Sequence, residues 1–394
     1  MENSKRQNTE TSIPPDFVFD LLARLPVKSV IRFRSVCKLW ASITHDPCFV
    51  NLRRTRSITQ SYNPNLLISF YNPDKSNQYL LRANHSGGPA THLLTLFNTK
   101  PCRLTESVDG IVTSFMYYDS ISYLDKRAYS FNPTTRQIAT LPADAQTTIS
   151  DPFRLYNVYA FGFDPSTEKY KVLNIRVNCL TGIAKECKIL TLGGTSSSWR
   201  KIDAVPPCID CRWLHYCQRC VCVNGVSHWL HRAWRIVVAF DFRYEEFALI
   251  HLPKDVSLFC PDDDEPAMLP LWPDLIQVDG HLAVVIYEPC KSVEILVLED
   301  YRKQVWTKER ILISLSFCEQ QLVPVGSIHT GEILLAPCEF GLGPVEMFYY
   351  DVKGRGLRSV KIAGIPEWMI SDGSAKATFV INHTENILSL RAIH

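Results

Sequence analysis

Several common patterns are missing from this 394-residue sequence. No apolar run approaches the eighteen or so residues that a membrane-crossing helix needs. The first twelve residues, MENSKRQNTETS, are polar and lack the apolar centre of a secretory signal. No GxSxG, HExxH or GxxxxGKS/T motif occurs, so the α/β-hydrolase, zinc-protease and P-loop chemistries lose their local signatures. A dominant charge sign is missing too: 42 basic and 40 acidic residues leave +2. Such a balance gives no general reason to expect a nucleic-acid partner. These absences point to an intracellular chain, in the cytoplasm or nucleus, with no cofactor and no catalytic residue of its own. Cysteine is not scarce, and in that setting the 14 cysteines read as reduced thiols.

The charge is unevenly spread. Residues 1–60 hold ten Lys/Arg against five Asp/Glu, whereas the remainder holds 32 against 35. Within that basic start, a polar tail over 1–12, expected to be disordered, gives way to three helical segments. Val18, Leu21, Leu22 and Leu25 recur at helical spacing behind Pro14, Pro15 and Asp16, and Pro26 ends the run. A second segment spans Lys28 to Phe33. Ser35 is the expected N-cap of a third, carrying Val36, Leu39, Trp40 and Ile43, which Asp46-Pro47 closes. About forty residues seldom bury enough surface to stand alone. Apolar residues on more than one face of these helices therefore suggest a surface kept for another polypeptide.

The stretch IPPDFVFDLLARLPVKSVIRFRSVCKLWASITHDPCFV, residues 13–49, closely resembles the F-box in its common plant form: a Leu-rich helix, RLPVKS, RFRxVCKxW and DPxF. Pro15 followed by Phe17, where many relatives carry a polar residue and then Leu, is a mild departure that preserves the hydrophobic face. The resemblance implies docking on a Skp-type adaptor, and through it on a cullin. Pro14, Leu21, Leu22, Leu25, Pro26, Val30 and Trp40 are then the candidate contacts. Some of these must instead hold the helices together.

Beyond residue 60 the pattern changes to short strands between turn signals. Asp109-Gly110, Asn224-Gly225 and Asp279-Gly280 are type I′ pairs. With turns near Asp164, Thr330 and Thr384 they recur every 51 to 60 residues. A second register places an apolar residue six positions after an Asn or Asp: Asn132 and Ile138, Asp241 and Phe247, Asp300 and Trp306, Asp351 and Leu357. Gly193 and Trp199 fill the same register without the acid. A polar side chain bonding its own turn, followed by an inward apolar anchor, would produce this. The period is that of a four-stranded unit repeated about six times, a β-propeller. A large β-sandwich is the alternative. The turn at Thr384 leaves room for one more strand, and LLISFYNPDKSNQYLL near residue 70 would complete its blade. The strand THLLTLF, 92–98, has no assigned place in the count.

YSFNPTTRQIATLP followed by YAFGFDPSTEKYKVL resembles the F-box-associated interaction domain of plants, a kelch-like propeller type. That likeness covers roughly residues 100–360. It implies a target-recognition module within a ubiquitin ligase complex and names no target. The expected organisation is thus an F-box at 13–56 and a β-propeller at 57–394.

Three groups of residues weigh on other chemistry. Cys208, Cys211, Cys217 and Cys220, with Cys222 close by, form two CxxC pairs, a zinc pattern in principle. His215, His228 and His231 would complete it. The short gap between pairs and the Trp-rich surroundings favour buried thiols instead. The acidic PDDDEP loop at 261–266 and the run Arg53, Arg54, Arg56 read as solvated connections, with a contact role as the alternative for each. Glu245 and Glu246 read as an exposed strand or turn.

Overall fold

The computed structural model describes residues 13–59, 65–72, 74–97, 102–104, 107–116, 128–142, 155–178, 180–192, 198–207, 220–231, 235–256, 273–288, 292–312, 322–328, 330–337, 344–366 and 376–390. Four helices come first: α1 (Pro15–Arg24), α2 (Val27–Phe33), α3 (Lys38–His45) and α4 (Pro47–Thr59). α1 starts as its prolines dictate, with Pro14 at the N-cap and Asp16 in the first turn. Leu25 ends it in an extended conformation (φ −79°, ψ 153°), the conformation imposed by the following proline.

Two expectations about the head need correction. Ser35 does not cap α3. Its hydroxyl donates to Arg32 O at 2.7 Å, and Cys37 holds the N-cap position. The fourth helix was not expected at all. Asp46-Pro47 closes α3 and also opens α4, because the Asp46 carboxylate accepts the N–H groups of Cys48 (2.8 Å) and Phe49 (3.3 Å) while Pro47 occupies the first helical position.

The remaining described residues form six sheets, antiparallel except for one short parallel pair at the edge of the last, here blades I to VI. Blade I holds strands Lys376–His383, Asn65–Asn72, Asn77–Asn84 and Thr91–Leu96. Blade II holds Cys102–Leu104, Val112–Met116, Ala128–Asn132 and Gln137–Thr140; blade III holds Leu155–Asp164, Lys169–Asn178, Ala184–Thr191 and Arg200–Ile202. Blade IV holds Val221–Val223, Val226–His231, Ile236–Asp241 and Glu246–His251. Blade V holds Asp274–Val278, His281–Glu288, Ser292–Asp300 and Val305–Leu312. Blade VI holds Leu322–Ser327, Ile333–Pro337, Val345–Asp351 and Gly356–Ala363, extended by the two-residue strand Gly88–Pro89.

Apolar clusters seal each neighbouring pair. Leu67, Leu80 and Leu94 meet Val112 and Phe131 between I and II. Val108 and Ile111 meet Phe161 and Val172 between II and III, and Ile175 and Ile189 meet Trp229 and Phe240 between III and IV. Val237 meets Val284, Val285 meets Phe348, and Leu334 with Met347 closes back on Leu66 and Ile68. The ring is a six-bladed propeller, in which each blade is sealed to its neighbours and only short edges remain.

Local chemistry explains the hairpins. Asp109-Gly110, Asn224-Gly225 and Asp279-Gly280 take positive φ at both residues, 47° and 83°, 52° and 80°, 47° and 79°, as type I′ turns require. In the outer hairpins the Asn or Asp side-chain oxygen accepts the backbone N–H groups of its own turn: Asn132 from Thr134 (2.9 Å), Asp241 from Arg243 (2.7 Å), Asp300 from Arg302 (2.9 Å) and Asp351 from Lys353 (3.0 Å). The inward anchor is only partly realised. Phe247 packs on Phe240 with centroids 4.8 Å apart, and the Trp306 indole donates to His251 O at 3.0 Å. The Trp199 indole donates to Pro142 O at 2.8 Å; Gly193 lies outside the described residues. Ile138 and Leu357 stand 44% and 39% exposed, because the last strand of a blade has solvent on its outer side.

Closure differs in detail from expectation. Blade I takes one strand, Lys376–His383, from the C-terminal part and three from the start of the domain. That strand precedes Thr384 instead of following it. Thr91–Leu96, the strand without a place in the sequence reading, is the outer edge of this blade. Residues 384–390 then run as a strap from blade I across blades II and III toward the helices.

Candidate partner-binding surfaces

The four helices have a small core of their own. Val18, Leu22, Ala23, Val27, Val30 and Phe49 are buried together, and Ile387 of the strap completes the cluster. Phe19 meets Phe49 edge-on at 5.1 Å, and Phe33 meets Trp40 likewise at 5.1 Å. This divides the seven sequence candidates. Leu22 and Val30 are fully buried in that core, so neither faces a partner; their stripe points inward. Leu25 and Trp40 are half-buried and pack on the same core. Pro14, Leu21 and Pro26 are exposed. Spacing alone does not separate Leu21 from Leu22, because one helical stripe has two flanks.

Other apolar side chains on the head face water. Ile13 is 52% exposed, Phe17 62%, Leu21 41%, Val36 57% and Leu39 40%. Phe17 and Leu21 lie four residues apart, on one line along α1. Val36 and Leu39 flank the start of α3. The available signal for these residues was the surplus of apolar positions over what so small a core can bury.

The arginines after the motif are not a solvated linker. They lie on α4, where Arg53 and Arg56 hold the end of α1 and Arg54 joins head to ring. The Arg53 guanidinium donates to Ala23 O (2.9 Å) and Leu25 O (2.8 Å), and Arg56 to Ala23 O (2.8 Å), which satisfies carbonyls at the end of α1. Arg54 pairs with Asp109 in the first turn of blade II at 2.6 Å and lies 3.8 Å over the Phe163 ring of blade III. Asn51 donates to Glu168. Burial pushes the Asp109 carboxyl up, while the charge and hydrogen bond of Arg54 pull it down. Arg34 donates to Ile387 O at 2.6 Å, and burial holds its guanidinium below the ordinary value.

The strap is fixed from the other side. Asn132 donates to the carbonyls of Asn386 (3.0 Å) and Leu388 (2.8 Å), and Asn386 donates to Asp109 O (2.6 Å) and Tyr170 Oη (2.9 Å). Gly110 is required at this crossing. A Cβ there would sit 2.5 Å from Thr384 O.

Cys208, Cys211, Cys217, His215, the 261–266 loop and Gly193 lie outside the described residues. Cys220 and Cys222 are half-buried and pack against different cores, so these two do not share a site. His228 is buried, facing Val221 O (3.2 Å) and Tyr301 Oη (2.9 Å), and burial lowers it to about 4. Among the described residues no three His, Cys, Asp or Glu side chains are grouped to hold a metal ion. No described helix is long and apolar enough to cross a membrane. Glu245 is not an exposed turn residue. It accepts from Lys171 (3.0 Å) and, through both carboxylate oxygens, from Arg200 Nη2 (2.7 and 2.8 Å), tying blade IV to blade III.

Residues 11–52 match the model of the F-box domain, and residues 58–384 match that of the F-box associated beta propeller domain. The chain is an F-box protein with an associated β-propeller. F-box protein At1g30790 of Arabidopsis thaliana is 29% identical over 97% of this chain and 99% of its own length. F-box protein DOR, from the same plant, is 28% identical over 95% and 93%. Among solved structures, the nidogen/laminin complex aligns at TM-score 0.43 and 9% identity over 81% of this chain and 98% of its own. Within this F-box, exposed apolar residues are interleaved with the buried core residues in sequence, so one short segment supplies both. Helix α4 of the F-box protein runs past residue 52 to Thr59, and Asn51 and Arg54 at its middle carry the contacts to the propeller.

Proposed function

We propose that this F-box protein is the target-recognition subunit of a Skp–cullin–F-box ubiquitin ligase, acting in the cytoplasm or nucleus and contributing no catalytic residue itself. The observation that carries this reading is the F-box surface. Its core is filled by its own helices and Ile387, yet Ile13, Phe17, Leu21, Val36 and Leu39 remain in water. Open apolar area beside a completed core fits a second polypeptide better than an unfinished fold. The adaptor occupies that surface, and the propeller holds a target at a fixed offset from it. Tethering then raises the local concentration of the target's lysines at the transfer enzyme, with no new covalent chemistry in this chain.

The test is co-purification of the intact chain with a Skp-type adaptor and a cullin, using the wild type and a Phe17→Asp/Leu21→Asp variant. Recovery of both partners with the wild type and of neither with the variant supports the reading. Adaptor without cullin would assign the chain to a complex outside ligases. Adaptor retained by the variant would move the contact elsewhere.

A further inference from the structure

The end of blade III away from the F-box presents apolar side chains that the ring does not use. The strands Leu155–Asp164 and Lys169–Asn178 are ten residues long, about 30 Å at roughly 3.3 Å per residue. The turn after Asn178 therefore lies about that far from Glu168, which touches the F-box. At this far end Leu180 is 59%, Ile183 49% and Val205 67% exposed. The turn is bonded internally. Asn178 Oδ1 accepts the N–H groups of Leu180 (2.9 Å) and Thr181 (3.0 Å), Gly182 donates to Asn178 O (2.8 Å), and Asn178 donates to Ile183 O (3.0 Å). Side chains on a turn held this way have little ordering left to lose on binding.

Beside the turn is an open cavity of about 230 Å³ walled by Ala184, Cys187, Ile202 and Pro206 and rimmed by Lys185, Lys201 and Asp203. It is smaller than the roughly 300 Å³ at which small-molecule sites begin, and suits a single side chain. Burial, then the charge of Glu186, pushes the Cys187 thiol up to about 12, so no thiolate chemistry is available there. Glu186, also in the wall, is engaged by Arg176 (2.7 Å) and Lys188 (3.4 Å). The exposed rim is thus two lysines against one aspartate.

We propose that this surface binds an acidic segment of the target protein. An apolar side chain of that segment seats in the cavity beside Val205, its neighbours cover the exposed Leu180 and Ile183 on the adjoining turn, and its carboxylates meet Lys185 and Lys201. This inference rests on the reading of the chain as a target receptor and names the chemistry of the target. The probe is a fluorescein-labelled library of ten-residue peptides alternating Asp or Glu with Leu or Phe, beside a counterpart with Lys at every acidic position. Each is titrated with the intact chain by fluorescence polarisation, and adaptor binding is measured in parallel.

The acidic library is expected to bind and the basic one not. Raising NaCl from about 50 to about 500 mM should weaken binding. Leu180→Ser/Ile183→Ser and Lys185→Glu/Lys201→Glu should each lower affinity about tenfold or more, with thermal midpoints unchanged because these side chains are exposed. Equal binding of both libraries, preference for the basic one, or full affinity in both double variants would overturn the proposal. So would self-association of the chain that the apolar double variant abolishes, which would give the surface to a second copy. Acidic peptides unbound by a chain that holds its adaptor sink this inference alone. Acidic peptides bound by a chain that never takes the adaptor leave this surface standing and remove the receptor reading.

Discussion

The F-box and the propeller meet water in opposite ways. Across the described part of the propeller, from residue 65 to 390, nine large apolar side chains are exposed: Phe97, Ile138, Leu180, Ile183, Val205, Tyr244, Tyr301, Val305 and Leu357. The F-box exposes five within residues 13–39. The ring buries its apolar faces because every blade has two neighbours and the sixth interface closes on the first. The F-box has no such symmetry. Its helices enclose six buried apolar residues, borrow Ile387 from the strap, and leave the rest of their apolar surface open. The contrast teaches that closure, rather than composition, decides where apolar surface remains for a partner.

The largest effect that would sharpen this comparison is Leu22→Ala. It removes a fully buried side chain from the small core and should cost about 3 kcal/mol. In calorimetry the F-box should melt first while the propeller transition holds; a single shared transition would show the two regions to be one cooperative unit. Arg54→Ala comes next, at about 2 kcal/mol. It leaves Asp109 without its ion pair and Phe163 without its stacked cation, and faster proteolysis between F-box and propeller should report it.

Acid should act on the propeller more than on the F-box. Burial lowers His228 to about 4 and His383 to about 3, whereas an unfolded histidine titrates near 6.5. Below that pH the unfolded chain binds protons the ring refuses, so stability falls as pH drops from about 6.5 toward 4. His228→Gln should flatten the slope of the urea midpoint across that window; an unchanged slope would show that His228 does not contribute. The smallest effect is Asp241→Ala, which takes the acceptor from one outer turn and should cost about 1 kcal/mol without moving the F-box transition.

What could be read from the sequence follows the same division. The turns were legible because Asp-Gly, Asn-Gly and the Asp or Asn of each outer hairpin act on their own backbone, and so the period and the six blades followed. Register across the closure was not legible. No local chemistry says that Thr91–Leu96 and Lys376–His383, far apart in the chain, border one blade. In the F-box, Asp46-Pro47 carries the same residues whether it ends a helix or begins one, and α4 was lost to that ambiguity. Arg53, Arg54 and Arg56 looked like solvated charges because their acceptors, Ala23 O, Leu25 O and Asp109, are fixed only by the fold. Of the adaptor candidates, Leu22 and Val30 point inward while Leu21 stays in water, a choice made by the packing of Phe49 and Ile387.

One measurement goes straight to the role of the open F-box surface: calorimetric titration of a Skp-type adaptor into the intact chain and into Phe17→Asp/Leu21→Asp. The account predicts tight binding by the wild type and a loss of at least about a hundredfold in the variant, with both melting transitions in place. Equal affinity in the two proteins would contradict it.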